Sequence, residues 1–205
     1  MRAMRKRPGK PLGRAFYSRD TVSVARGLLG KLLVHLNGGT RVAGRIVETE
    51  AYLGEGDPGS HACRGATPRS SVMFGEPGRA YVYFVYGNHH LLNAVTEPAG
   101  KPGAVLIRAL EPVEGVEIMR QRRGRERDLT NGPGKLTRAL GVDLSHNGAD
   151  MTRGDLFILD DGVGVENIGV TGRVGLSEGG DLPLRFFIPS NPHVSRKAGI
   201  QDSKR

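Results

Sequence analysis

Polar residues stand where strand patterning asks for apolar ones. In the stretch Arg41–Tyr52, alternation with period two gathers Val42, Gly44, Ile46, Glu48, Glu50 and Tyr52 on one face, so a carboxylate and a phenol ring lie side by side near its end. In Leu91–Thr96 the face of Leu91 and Val95 also carries Asn93, and in Ala104–Leu110 the face of Ala104, Leu106 and Leu110 also carries Arg108. Burying such groups is costly unless each finds a hydrogen-bond partner. Either the three breaks meet in one polar pocket, or they are unrelated surface faces or a structural Glu–Arg pair.

Tyrosine gives the second signal. Three of the five tyrosines, Tyr81, Tyr83 and Tyr86, fall within six residues, with Tyr81, Tyr83 and Val85 on one face. Rings on an exposed strand can stack nucleic-acid bases at about 1–3 kcal/mol each, and they can equally pack a core or an edge. Tyr86 precedes Gly87 at what reads as a strand tip, where a ring could project as a wedge.

Other chemistries lack their residues. His61 and Cys63 have no second pair at zinc spacing, and His89-His90 has no carboxylate at helical spacing. There is no GxSxG, no Walker sequence and no GxGxxG after a strand. The expectation is no metal and no nucleotide cofactor. Cys63 is the single cysteine, which excludes an intrachain disulfide and suits a reducing compartment.

The elements that must position these residues follow from caps and turns. Asp20 can cap a helix from Thr21 to about Leu29, stopped by Gly30. Lys31–Leu36 and Arg41–Tyr52 read as strands joined at Asn37-Gly38-Gly39. Residues 54–79, rich in Gly, Pro and Ser, read as a long ordered loop of the kind that usually serves function. Strands are expected at Tyr81–Tyr86, Leu91–Thr96 and Ala104–Leu110, and helices from Pro112 to about Arg122 and at Lys135–Leu140. After Asp155 the pattern is short strands and hairpins, including Asp161-Gly162 and Leu184–Ile188. The fold class expected is α+β: one domain with a curved antiparallel sheet core, flanking helices and a protruding hairpin.

With 205 residues and a net charge of +9, the chain is long enough for a core without staples. Residues 1–19 hold seven basic side chains and no acid, and residues 1–15 read as a basic, flexible tail ahead of a domain spanning 16–205. Residues 120–138 hold seven basic against two acidic side chains, while residues 150–181 hold seven acids and two arginines. Such polarity can orient an anionic partner, or be a solvated charge run. The longest apolar stretch, Ala80 to Gly87, is far too short to span a bilayer, so no membrane partner is expected.

Ordered motifs then resemble a known family. They run Arg45-Ile46-Val47-Glu48-Thr49-Glu50-Ala51-Tyr52-Leu53-Gly54, Ser60-His61-Ala62, Thr67-Pro68-Arg69, Met73-Phe74-Gly75, Tyr81-Val82-Tyr83 and Tyr86-Gly87. Asn93, Leu106-Ile107-Arg108-Ala109-Leu110-Glu111-Pro112, Gly132-Pro133-Gly134-Lys135-Leu136, Arg173-Val174-Gly175 and Pro183-Leu184-Arg185-Phe186 follow. Over nearly all of residues 16–196 the chain is similar to the alkyladenine (3-methyladenine, methylpurine) DNA glycosylases.

The resemblance implies a monofunctional, monomeric enzyme acting on double-stranded DNA that contains damaged purines. Such an enzyme flips out 3-methyladenine, 7-methylguanine, hypoxanthine or ethenoadenine and hydrolyses the N-glycosidic bond, without cofactor and without a lyase step, in the cytoplasm or, in a eukaryote, the nucleus. By that resemblance Glu50 is the general base, with Arg108 and the Val174 carbonyl holding the water. Tyr52, His61, Tyr83 and Asn93 receive the base. Tyr86 enters the minor groove, and Thr67, Arg69, Met73 and Lys135 fall at DNA-contacting positions. The sequence departs from the family's usual pattern at Ser70, where Asn is common, and at Asn88, where a bulkier apolar residue is frequent. The alternative from another class is a non-catalytic lesion- or nucleic-acid-binding module.

Overall fold

The computed structural model describes residues 9–85 and 87–195. Asp20 caps helix α2 (Thr21–Leu28), its side chain accepting from the Ser23 amide, after a single turn α1 (Arg14–Tyr17). The next hairpin joins β2 (Leu32–Asn37) to β3 (Thr40–Tyr52) through Gly38 and Gly39, both in the left-handed region. The other strands are β1 (Lys10–Pro11), β4 (Ala80–Val85), β5 (His89–Val95), β6 (Ala104–Glu114), β7 (Leu156–Asp160), β8 (Gly169–Thr171) and β9 (Arg185–Phe187). Thus Lys10 and Pro11, within the stretch read as tail, pair with β7.

Among the described residues nine strands form one curled antiparallel sheet, seven of them in the order β1-β7-β2-β3-β6-β5-β4. Strand β3 is its spine. One edge pairs with β6; the other pairs first with β2 and then, at Glu48–Glu50, with β9, which also carries β8. Helices α2, α3 (Val116–Arg123) and α4 (Pro133–Leu140) cover one sheet face, where Val24, Leu28, Met119, Leu136 and Leu140 meet Leu33, Ile46, Leu92, Ile107 and Leu110. The expected α+β class holds.

Two expectations need correction. The helix expected at Pro112 begins four residues later, because β6 continues through Pro112, paired with Gly44, to Glu114. Gly115 makes the break in the left-handed conformation, and a Cβ there would meet the Arg41 carbonyl at 2.8 Å. Uniform alternation along β3 and β6 also fails. Ile46 pairs with Leu110 and Glu48 with Ala109, which leaves Val47 as an extra residue; Thr49 then pairs with Ile107, which leaves Arg108 extra. These β-bulges turn each strand over. Val42, Ile46 and Leu110 face the helices, as does Ala51 beyond the bulge, while Glu48 and Glu50 lie on the opposite face from Ala51. Without the bulges, period two would drive Glu50 into the apolar core beside Ile46.

Candidate active site

Glu50 is fully buried and takes three donors. The Tyr52 hydroxyl (2.9 Å) and Arg108 Nη1 (3.2 Å) donate to Oε2, and the Val174 amide donates to Oε1 at 2.7 Å. The breaks in β3 and β6 patterning therefore do meet, and Val174 joins them from a loop 124 residues away. Arg108 forks between two carboxylates, because its Nε donates to Glu48 at 3.0 Å. Glu48 also accepts from Arg185 Nε at 2.7 Å and from the Ser195 amide and hydroxyl at 2.6 and 2.9 Å. Burial alone would raise the Glu48 carboxyl's pKa, but Arg108 and Arg185 outweigh it and hold the group below its usual range. Burial opposes the charge on Arg108 as well, and Glu50 with Glu48 overcomes that, so the guanidinium stays charged.

Beside these charges lies a pocket of rings. An inner cavity of about 50 Å³ is lined by Tyr52, His61, Met73, Tyr81, Tyr83 and Asn93 among others. An outer cleft of about 310 Å³ shares Tyr52, His61, Tyr83 and Leu176 with it and adds Leu106, Arg108, Pro133 and Val174. The His61 and Tyr83 rings meet edge-on at 4.7 Å, Tyr81 and Tyr83 lie 5.1 Å apart, and the Arg69 guanidinium sits 5.0 Å over Tyr83. His61 Nδ1 and the Tyr81 hydroxyl are hydrogen-bonded at 2.9 Å. Partial burial and the positive Arg69 lower the His61 pKa, which favours the neutral ring. Burial and the Glu50 charge raise the Tyr52 phenol far above its usual value, so it remains a donor to Glu50. Asn93 donates from Nδ2 to the Tyr81 carbonyl at 3.0 Å, which fixes the side chain in the cavity wall.

The rim is held by a buried ion pair. Arg173 reaches both oxygens of Asp57 (2.7 and 2.5 Å) and the Ala51 and Gly179 carbonyls, and its guanidinium lies 4.7 Å over the Tyr52 ring. Asp57 also accepts from the Leu53 and Gly59 amides, closing the start of the long loop onto the end of β3. Among the described residues no group of three or more His, Cys, Asp or Glu is arranged to hold a metal ion.

Residues 15–192 match the sequence profile of the family described as methylpurine-DNA glycosylase (MPG). The chain belongs to this family. It is 49% identical over 197 residues to a protein of Prosthecochloris aestuarii (strain DSM 271 / SK 413), covering 94% of each chain. It is 50% identical to a protein of Carboxydothermus hydrogenoformans (strain ATCC BAA-161 / DSM 6008 / Z-2901), over 91% of this chain and 99% of the relative. A protein of Methanoculleus marisnigri (strain ATCC 35101 / DSM 1498 / JR1) is also 50% identical, over 89% of this chain and 97% of its own. All three carry the name "Putative 3-methyladenine DNA glycosylase".

The remaining positions that the glycosylase resemblance singles out lie around the pocket in different ways. Met73 is buried beneath Tyr81 and forms cavity wall. Thr67 and Ser70 close a turn on each other, each side chain accepting from the other's amide at 3.0–3.1 Å, with the Ser70 hydroxyl also donating to the Gly65 carbonyl. Ser70, the departure from the family's Asn, is thus fully buried as the pin of that turn. Lys135, on α4, donates to Asn131 and lines a groove with Val85, His89 and Pro133, next to the outer cleft. Asn88 is exposed in the β4–β5 turn, and the Tyr86 expectation lies outside the described residues.

Sequence reasoning passed over several contributors. Glu48 shares a face with Glu50, and Tyr81 alternates with Tyr83, so period two already pointed at both. Arg185, Asp57 and Arg173 offered no such signal, because only long-range pairing brings them in. Arg185 stands opposite Glu50 in the β3–β9 register, and Asp57 and Arg173 are 116 residues apart.

Proposed function

We propose that this protein is a DNA glycosylase that removes alkylated or deaminated purines from double-stranded DNA by hydrolysis, beginning base-excision repair. The observation that carries the reading is Glu50: a fully buried carboxylate, held by three donors, beside a ring-lined cavity. A carboxylate has about four acceptor directions, so three donors leave one for a water molecule.

In this reading Glu50 takes the proton as the water oxygen bonds to the sugar C1′. The C1′–N bond breaks, and its electron pair leaves with the base. The Glu50 charge, fixed and buried, also stabilises the developing oxocarbenium ion. Arg108 and the Val174 carbonyl orient the water. Tyr52, His61 and Tyr83 enclose the extruded base, and Asn93 in the cavity wall disfavours the amino group of normal guanine. The flat, electron-poor rings of 3-methyladenine, 7-methylguanine, hypoxanthine and ethenoadenine suit such an enclosure, and extrusion costs least for a damaged or mispaired base. The described lining of the cavity and cleft contains no lysine amine, which favours hydrolysis over a lyase step. Arg69, Thr67 and Lys135 meet the DNA around the pocket, Met73 contributes to the wall that the extruded strand is held against, and Tyr86 fills the space left by the base.

The test is purine release in chelator-containing buffer from methylated DNA and from a duplex with one hypoxanthine, for wild type and Glu50→Gln. Release by wild type that drops about 10²–10⁴-fold in the variant, with lesion binding retained, supports the reading. Binding by wild type with every base left attached would establish a non-catalytic lesion binder instead.

A further inference from the structure

Next to Glu50 stands a second carboxylate that the reaction outlined above does not use. Glu48 is as deeply buried as Glu50 and accepts four hydrogen bonds, two from guanidiniums and two from Ser195. A buried ion pair is weak evidence for stability in itself, since apolar packing commonly does as well. The arrangement here is specific in another respect. Arg108 presents Nε to Glu48 and Nη1 to Glu50, so a single planar group is shared between the two carboxylates. Arg185 reaches Glu48 and the Thr171 hydroxyl, and its strand position is the one opposite Glu50.

We infer that Glu48 is a positioning residue for Glu50: it fixes the plane of Arg108 and, balanced by Arg185, sets how much of the Arg108 charge Glu50 feels. The inference rests on the glycosylase reading, since it concerns the group that reading uses as base. The groups facing Glu50 are Tyr52 and Glu48 from β3, Arg108 from β6, Arg185 from β9, the Val174 amide, His61 and Tyr83 across the cavity, and Arg173 behind the Tyr52 ring. Glu48, Glu50, Arg108 and Arg185 form a balanced buried set of two negative and two positive charges. Removing one negative charge leaves Glu50 in a more positive surrounding. Removing one positive charge does the opposite.

The experiment is the pH profile of single-turnover excision, with affinity for a lesion duplex and thermal midpoint recorded in parallel. In Glu48→Gln the acidic limb moves to lower pH by about one unit, and the plateau rate falls about 10–100-fold. In Arg185→Met the limb moves to higher pH. Affinity for the duplex stays near wild type in both. Opposite movements of the limb are not produced by loss of structure, which lowers the thermal midpoint and the active fraction alone. Limbs that stay in place, or move together, overturn the inference while leaving the glycosylase reading intact. A wild type that releases no base overturns both. If Glu48→Gln does not fold, Arg185→Met decides alone: Glu48 loses its second guanidinium, leans more on Arg108, and the limb moves to higher pH, whereas an unmoved limb overturns the inference.

Discussion

The two faces of strand β3 obey different rules. Toward the helices, Val42, Ile46 and Ala51 meet α2, α3 and α4 in an apolar core whose members are interchangeable in kind. Toward the pocket, Glu48, Glu50 and Tyr52 each need a partner of defined chemistry, and those partners arrive from β6, β9 and two loops. One face tolerates any residue that fills volume; the other is all or nothing, because an unmatched buried charge is far more costly than a missing methyl group. The bulges at Val47 and Arg108 are the device that lets one strand serve both.

The largest way to break that contrast is Glu50→Gln, which should lower base release about 10²–10⁴-fold and change the thermal midpoint far less than the rate. Next is the buried pair at the rim. Arg173→Met strands the Asp57 carboxylate and should destabilise the fold by about 3–5 kcal/mol, measured by urea denaturation. Ile107→Ala on the helix face should cost about 2–5 kcal/mol in the same assay, yet keep the pH profile of excision. A change of profile in that variant would mean the two faces are coupled. Tyr81→Phe removes only the hydroxyl bonded to His61 and should cost about 0.5–1.5 kcal/mol of stability, with excision affected only where His61 matters.

The smallest effect separates the faces by pH. His35 is buried on β2, its Nδ1 bonded to the Leu140 carbonyl, and burial lowers its pKa below the ordinary imidazole value. The unfolded chain therefore binds a proton that the folded chain resists. Stability is full above about pH 6.5 and declines as pH falls below it. His35→Phe should flatten that slope in thermal melts across this range, without moving the acidic limb of excision.

What could be read from sequence alone follows the same division. The Asp20 cap, the Asn37–Thr40 hairpin and the apolar faces of α2 and β5 are local, so caps, glycines and alternation revealed them. Glu50, Asn93 and Arg108 were visible as polar interruptions of that alternation. The bulges were not, because an inserted residue looks like any other until its partner strand is known. Nor was the role of Arg185 or the Asp57–Arg173 clasp, since their partners lie more than a hundred residues away and no short spacing announces them. Pro112 misled for a related reason: it suits a helix start, but opposite Gly44 it is accommodated within a strand.

The reach from Glu48 to Ser195 spans 147 residues and carries a consequence for synthesis. A chain emerging from the ribosome can close the β2–β3 hairpin early, but Glu48 keeps an incomplete set of partners until Arg185 and then Ser195 have been made. Contacts so distant along the chain form late in folding. The charged centre is therefore finished last, and a nascent chain halted at α4 would hold the rings of β3, β4 and the long loop without Arg173, Val174 or Leu176 to close the pocket around them, and without a balanced set of charges.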